Sequence, residues 1–310
     1  VKTRVLVVIP HRNGADLLAE ALSALAEALD ANRDHVVVVD NGSTDDSVAR
    51  VRRLAGAVTV LEAGANLGFG RACNLGFRAR DSEFVLFLNN DCRLSRVALE
   101  RLLAELAVRP SAAVVGPQLI GADGQPQRSA AYLPTLHGEM GFARRRFPAS
   151  APGSEALTVP ALVGASMLCR RSALEAVAGF DEGFFFYFEE VDLCRRFVLQ
   201  GFDVVLVPSA RVIHGKGVAT RAVRAGAQME MLRSRFHYYW QAFPKPLALW
   251  LVIFRTLRLL VSTSLHVVLL LVTLGCHKGT RMRTGLYLRL VLFLLCGMPK
   301  NQGLPGKAAE

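Results

Sequence analysis

The chain has 310 residues, 52% of them hydrophobic and 20% charged, with 37 Lys and Arg against 26 Asp and Glu for a formal charge of +11. That length suits one large domain or two ordinary ones, and the apolar fraction excludes a disordered chain and exceeds that of most soluble enzymes. Residues 211–310 hold 15 of the basic residues and only two acids, Glu230 and Glu310, which leaves the first 210 residues close to neutral. A near-neutral body followed by a basic, apolar tail points to an anionic surface or an anionic, greasy partner. The tail interleaves its Arg residues with Leu and Val runs and not with stacking aromatics, which argues against nucleic acid. The six cysteines form no CxxC pair, so reduced thiols are expected. The apolar run Val5–Ile9 before Pro10 is too short for a signal-peptide core, and the body is expected to be cytoplasmic.

In chain order, Val5–Ile9 reads as a strand, and Leu17, Leu18, Ala21, Leu22, Leu25, Ala28 and Leu29 recur at helical spacing behind it. Val36–Val39 is a second strand, and Ser43 with Asp46 has the spacing of a capping box for a helix through about Leu54. A strand at Val58–Leu61, a glycine-rich loop and helix at Asn66–Arg80, and a strand at Phe84–Leu88 follow. Ser95 caps a helix through about Ala107, and Ala112–Val115 is the next strand. Residues 121–158, rich in Gly, Pro, Ser and Ala and carrying Arg144, Arg145 and Arg146, read as a long surface excursion with no legible role. The apolar run Leu162–Leu168 comes next, then a capping box at Ser172 and Glu175 with a helix stop at Gly179. Phe184–Phe188 leads into a helix from Glu189 to about Gly201, and Val204–Val207 and Val212-Ile213-His214 lie on either side of Pro208. Alternating short apolar strands and amphipathic helices predict a mostly parallel α/β sheet, whose ligands sit beyond the carboxyl ends of its strands.

Three acidic clusters lie far apart in sequence: Asp40 with Asp45 and Asp46, then Asp91, then Glu189, Glu190 and Asp192. One acid after a strand is commonly a cap or turn former. Three such clusters and a late His, in an α/β sheet, can converge on one cleft.

Six motifs in order carry a resemblance to a known family. They are Val8-Ile9-Pro10-His11-Arg12-Asn13, Val39-Asp40-Asn41-Gly42-Ser43-Thr44-Asp45, Asn66-Leu67-Gly68-Phe69-Gly70 with Ala72-Cys73-Asn74, Leu88-Asn89-Asn90-Asp91, Gly179-Phe180-Asp181-Glu182 with Phe185, and Tyr187-Phe188-Glu189-Glu190-Val191-Asp192-Leu193. Over residues 3–215 the chain resembles glycosyltransferase family 2, most of all its rhamnosyltransferase-like branch. The resemblance implies a GT-A, Rossmann-like fold and an inverting transfer from a nucleotide-sugar. It implies that Asp40 holds the base or ribose, that Pro10 and Asn13 shape the base pocket, and that Asn66, Gly68, Gly70 and Asn74 form a loop close to the nucleotide. Asn89-Asn90-Asp91 occupies the place of the Asp-x-Asp metal motif, with Asn89 on the nucleotide side and Asn at the position where the family has its first Asp. Asp91 then carries the divalent cation, Mg2+ or Mn2+, and His214 is its second ligand or a diphosphate contact. Glu190 stands where the family has its catalytic Asp, one methylene longer, and Asp192 is the reserve candidate for the base.

Leu259–Cys276 is an uncharged stretch of 18 residues, preceded by Leu247–Phe254 with Arg255 and Arg258 between, and Leu286–Met298 is a second apolar run containing Arg289. A two-span hairpin would put Lys278, Arg281 and Arg283 outside, against the positive-inside tendency. The expected arrangement is therefore a GT-A domain over 1–215 and a helical, membrane-associating region over 216–310. Its helices lie in the interface, Arg and Lys toward anionic head groups; packing on the body or on a partner subunit is the alternative. His237-Tyr238-Tyr239-Trp240 sits at that boundary, and Gly215–Gly226 with Lys216, Arg221 and Arg224 reads as a basic segment over the diphosphates. The expected partners are a dTDP- or UDP-sugar donor, a polyprenyl-diphosphate-linked glycan acceptor and the membrane surface at the cytoplasmic face, and no nucleic acid. L-Rhamnose is the leading sugar by the resemblance alone. A UDP-sugar enzyme, or a catalytically silent membrane component of a glycan-assembly complex, is the rival reading.

Overall fold

The computed structural model describes residues 3–53, 58–141, 147, 155–215, 224–299 and 304. The basic segment expected at Lys216 and Arg221, like Arg144–Arg146, lies outside them. The chain divides into two compact units.

The first unit is built on a nine-stranded sheet. Its strands are β1 (Thr3–His11), β2 (His35–Asp40), β3 (Val58–Glu62), β4 (Ser82–Leu88), β5 (Cys92–Leu94), β6 (Ala112–Ile120), β8 (Leu157–Thr158), β10 (Ser166–Arg170) and β11 (Asp203–His214). Two-residue strands β7 (Ala130–Ala131) and β9 (Ala161–Leu162) pair separately. The order is β3-β2-β1-β4-β10-β6-β11-β5, with β8 on the flank of β11. β1, β2, β3 and β4 run parallel, as do β6 and β11, whereas β10 is antiparallel to both its neighbours and β5 is antiparallel to β11. The β-branched runs at 5–9 and 36–39 are buried on both faces, as strands covered by helices on two sides must be.

Helices α1 (Ala15–Ala28), α2 (Ser47–Arg52), α3 (Phe69–Arg78), α4 (Arg96–Val108), α6 (Arg171–Ala176) and α7 (Glu189–Leu199) flank this sheet. α1 and α4 bury Leu18, Leu22, Leu25, Leu99, Leu102 and Leu106 on one face, and α3 and α7 bury Ala72, Phe77, Leu193 and Phe197 on the other. Ser95 caps α4 as expected, its Oγ accepting from Ala98 N at 3.3 Å.

Both predicted capping boxes are absent. α2 begins at Ser47 with no side-chain cap, because the Ser43 hydroxyl accepts from Asn13 N at 3.0 Å, on the other side of the turn. Ser172 lies inside α6, and Glu175 instead pairs with Arg171 at 3.3 Å. The run Leu162–Leu168 is split at Gly164 into β9 and β10. The segments around Pro208 join as one strand, whose ladder with β6 slips between Val207 and Arg211, where a residue without an N–H is tolerated.

The second unit comprises α5 (Leu136–Met140), Phe186–Phe188, and helices α8 (Arg224–Ala242), α9 (Lys245–Val272) and α10 (Lys278–Leu295). The two apolar runs expected before Cys276 form one continuous helix of 28 residues, the one helix among the described residues long and apolar enough to cross a membrane. Arg255 does not face outward. Its guanidinium donates to Glu139 Oε2 at 2.6 Å and to Tyr239 Oη at 3.2 Å, while Tyr239 Oη and Arg235 also reach Glu139. A buried carboxylate needs this many donors, so Arg255 is drawn inward and the expected head-group contact is corrected for this residue. Tyr238 and Tyr239 are likewise buried, while Trp240, Trp250, Ile253, Leu257, Val261 and Leu265 are exposed.

Candidate active site

The parallel register pairs His11 with Asp40, so the carboxyl ends of β1 and β2 lie side by side, with Pro10 opposite Val39. Asp40 is buried, and Ser43 N donates to its carboxylate at 3.1 Å across the tight turn. Asn13 takes a left-handed φ of 58°, and its Oδ1 accepts from Thr44 N at 2.8 Å. Asp45 ties the two turns together by accepting from Gly14 N at 2.7 Å, Ala15 N at 3.3 Å and Ser47 N at 3.1 Å. Burial alone would raise its pKa, but the bonds from Ser47, Gly14 and Ala15 outweigh that and hold it below the ordinary carboxylate range. Burial also lowers the His11 pKa against the opposing charges of Asp45 and Asp40, and the ring's Nδ1 accepts from Asn90 Nδ2 at 2.8 Å.

The glycine-rich loop is fixed from below by Asn41, whose amide donates to Asn66 Oδ1 at 3.0 Å and to Gly68 O at 3.1 Å and accepts from Leu67 N at 2.7 Å. The small residues make room for a protein segment. At Gly68, with φ of 87°, a Cβ would lie 2.8 Å from Phe185 Cδ2 and closer still to Phe185 O, which accepts from Phe69 N at 2.9 Å. At Gly70 it would lie 3.2 Å from Phe180 Cβ and 3.7 Å from Glu189 Cβ. Asn74 is fully buried, donating to Phe180 O and Glu182 Oε1 at 2.9 Å each and accepting from Phe180 N at 2.9 Å. Its expected nucleotide contact is therefore corrected: the amide is saturated by the protein and holds the 180–182 segment, because an unmatched amide at that depth is costly.

β4 ends at Leu88, and Asn89 N donates to Ala165 O at 2.9 Å. The antiparallel ladder of β5 with β11 sets His214 opposite Cys92, which brings Asp91 Oδ1 to 3.6 Å from His214 Nε2. Gly215 N donates to Asp91 O at 3.0 Å and closes the pair. Cys92 Sγ falls in the same cluster, but it is fully buried and donates to Ala165 O at 3.4 Å. Burial, with the Asp91 charge behind it, pushes that thiol well up, so no thiolate is on offer. A carboxylate and an imidazole without a thiolate fit Mg2+ or Mn2+ better than a thiophilic ion.

The carboxylate pair opens α7. The two residues before it, Tyr187 and Phe188, both have positive φ, 70° and 71°, in a region non-glycine residues rarely adopt. Glu189 is buried and its Oε2 has no hydrogen-bond partner. Burial raises both carboxyls, and the neighbouring Glu190 charge raises Glu189 further. Glu190 packs on the bare Cα of Gly164, where a Cβ would come within 3.2 Å of its own Cβ.

Asp192 is not a second base. It is 1% exposed and accepts from Arg195 at 2.8 Å and Arg196 Nε at 2.7 Å, and Arg196 also donates to Val177 O and Gly179 O. The expectation of a reserve catalytic role is corrected: both oxygens are taken by arginines of the same helix, and the one on Oδ2 holds Arg196 where it ties α7 to the turn after α6. Asp192→Asn is expected to lower stability by about 2 kcal/mol in urea unfolding, the scale of a charge-assisted bond, while kcat falls less than about tenfold.

Two contributors escaped the sequence reading. Gly164 lies against Glu190 while Ala165 O accepts from Asn89 N, and Gln127, in the segment read as an excursion with no legible role, hydrogen-bonds His214. No spacing rule marks either.

The mixed sheet with helices on both faces and acids at its strand ends is the GT-A fold of solved glycosyltransferases. Among solved structures, the mannosyltransferase PcManGT from Pyrobaculum calidifontis, in complex with GDP-Man and Mn2+, superposes with a TM-score of 0.57 at 18% identity over 95% of this chain and 87% of that one. The glycosyl transferase family 2 profile matches residues 6–178, and the chain belongs to that family. The N-acetylglucosaminyl-diphospho-decaprenol L-rhamnosyltransferase of Mycobacterium tuberculosis is 34% identical over 207 residues, 60% of this chain and 67% of the relative. Rhamnosyltransferase WbbL of Escherichia coli K12 is 26% identical over 251 residues, 75% of this chain and 91% of the relative.

Proposed function

We propose that the chain is an inverting, metal-dependent transferase that moves L-rhamnose from dTDP-rhamnose to a hydroxyl of a polyprenyl-diphosphate-linked glycan. The observation that carries the reading is the 164–165 turn, which rests on Glu190 on one side and bonds Asn89 on the other. It ties a raised carboxyl to the strand end that carries Asp91 and His214. The relatives' names, one specifying a decaprenol-linked N-acetylglucosaminyl acceptor and another a dTDP-rhamnosyl transferase, support the sugar and the acceptor class.

In this mechanism Asp40, with Pro10 and Asn13, holds the base and ribose at the ends of β1 and β2. Asn66, Gly68 and Gly70 shape the floor of the cleft, and Asn89 lines its nucleotide side. Asp91 and His214 would hold Mg2+ or Mn2+, which offsets charge on the departing diphosphate. Glu190 removes the acceptor hydroxyl proton as that oxygen attacks the anomeric carbon. The bond from that carbon to the diphosphate oxygen breaks, dTDP leaves with the electron pair, and the anomeric configuration inverts. On this reading the enzyme lies on the bilayer at the cytoplasmic face of the plasma membrane, a location supported by the exposed apolar side chains of α9 and by a tail whose only acids are Glu230 and Glu310.

The test is turnover by detergent-solubilised full-length chain of dTDP-L-rhamnose and UDP-sugars with a short polyprenyl-diphosphate-N-acetylglucosamine and Mn2+, product stereochemistry being read by NMR. Rhamnose in an inverted linkage is expected. Transfer only from a UDP-sugar would overturn the donor, a retained configuration the mechanism, and silence with every donor the enzymatic reading itself.

A further inference from the structure

The hairpin after β6 is built to hold one side chain. Gln118 and Ser129, both buried, form its base: Gln118 Nε2 donates to Leu119 O at 2.8 Å, Gln127 O at 2.7 Å and Ser129 Oγ at 2.9 Å, and Ser129 Oγ accepts from Leu119 N at 2.7 Å. Gln127 N closes the turn on Leu119 O at 2.8 Å, and the β6–β11 register sets Ile120 beside Ile213, one residue before His214.

From this frame the Gln127 amide reaches His214 twice. Its Nε2 donates to His214 O at 3.0 Å, and its Oε1 lies 3.0 Å from His214 Nδ1. The two bonds are not interchangeable. A backbone carbonyl only accepts, so the amide NH2 must face it, the amide oxygen must then face the ring, and Nδ1 must carry a hydrogen to donate. A neutral imidazole with its hydrogen on Nδ1 keeps the lone pair on Nε2, the nitrogen 3.6 Å from Asp91 Oδ1. Gln127 thus sets both the ring's orientation and which nitrogen presents a lone pair to the Asp91 side, the arrangement that raises the affinity of metal-bound histidines.

We propose that Gln127 is the positioning residue of the Asp91–His214 cation site, and that the 118–129 hairpin exists in this chain to hold it. The inference rests on the reading of Asp91 and His214 as that site. It gives the first part of the 121–158 segment a role in that proposed site.

The experiment is Mn2+ binding to the full-length, detergent-solubilised chain with saturating dTDP, free Mn2+ being counted by electron paramagnetic resonance, so that no turnover is needed. Gln127→Leu is expected to weaken Mn2+ about 10- to 100-fold, the usual effect of losing an outer-shell partner, and Gln127→Glu, which keeps an acceptor for Nδ1–H, to retain it within about fivefold. Asp91→Asn should abolish binding. If Asp91→Asn loses Mn2+ while Gln127→Leu binds like the parent chain, the inference fails and the site stands; equal losses in Gln127→Leu and Gln127→Glu would also overturn it. If Asp91→Asn binds normally, the site itself is wrongly placed. Gln127→Met, similar in volume and without the amide, replaces the Leu variant should the latter fail to unfold cooperatively.

Discussion

Glu190→Gln is expected to lower kcat by about a hundred- to ten-thousand-fold, with the affinity for dTDP and Mn2+ unchanged. An amide of the same shape keeps the packing on Gly164 but cannot accept the acceptor's proton. Burial raises the Glu190 carboxyl, and the raised Glu189 beside it is the more deeply buried of the two. Proton affinity above that of an ordinary Glu makes the carboxylate a stronger base once ionised, and the sign of the pH dependence follows. The base works only when deprotonated, so kcat falls as pH drops through the raised pKa, and the acid limb lies above the ordinary Glu value of about 4.3. Because the two carboxyls interact, that limb belongs to the pair, and Glu189→Gln should shift it downward by removing a neighbouring charge. A Glu190→Gln chain that turns over within a few-fold of the parent would transfer the role to another group. Asp192, with both oxygens bound by Arg195 and Arg196, is poorly placed to take it.

Gly68→Ala is expected to cost about 4 kcal/mol of stability in urea unfolding and to abolish turnover. Two terms add. A φ of 87° with ψ of 176° is backbone that only glycine adopts readily, about 1–3 kcal/mol of strain for any other residue. The new Cβ would also meet the Phe185 carbonyl, so the Phe69 N–Phe185 O bond must open, about 1–3 kcal/mol more for a buried pair. Phe185 lies four residues before Glu189, so a shift there displaces the carboxylate pair, and misplacement by about 1 Å is enough for a hundred-fold loss. A Gly68→Ala chain of parental stability would show that the loop and the Phe185 segment are less tightly docked than the geometry requires.

The strands and the strand-end acids were legible because buried parallel strands write themselves as β-branched runs, and a polar residue directly after one lies at the sheet's ligand edge. The roles of the small and amide residues were less legible. Gly68, Gly70 and Asn74 have the composition of a loop that approaches a ligand, yet the close neighbours are Phe185, Phe180 and Glu182, from a segment more than 100 residues away. Ser43 has the spacing of a helix cap, but Asn13 N, brought in by the β1–β2 pairing, captures its hydroxyl first. Gln127 acts through a hairpin and a neighbouring strand, and Arg255 through Glu139 on another helix, so neither leaves a local pattern. Local rules located the acids; only the long-range pairing shows which of them are saturated by arginines and which stay open to chemistry.

The proposed function requires the cleft to bind a nucleoside diphosphate together with a divalent cation held by Asp91 and His214. It is tested most directly by thermal unfolding of the solubilised chain with dTDP, UDP, GDP or CDP, each with and without Mn2+, in the parent and in Asp91→Asn. A nucleotide at ~100 times its Kd stabilises by ~2.7 kcal/mol, so dTDP with Mn2+ should raise the Tm of the parent by several degrees. Omitting Mn2+, or substituting Asp91, should remove most of that rise. An unchanged Tm with every nucleotide, or an equal rise in Asp91→Asn, would contradict the account.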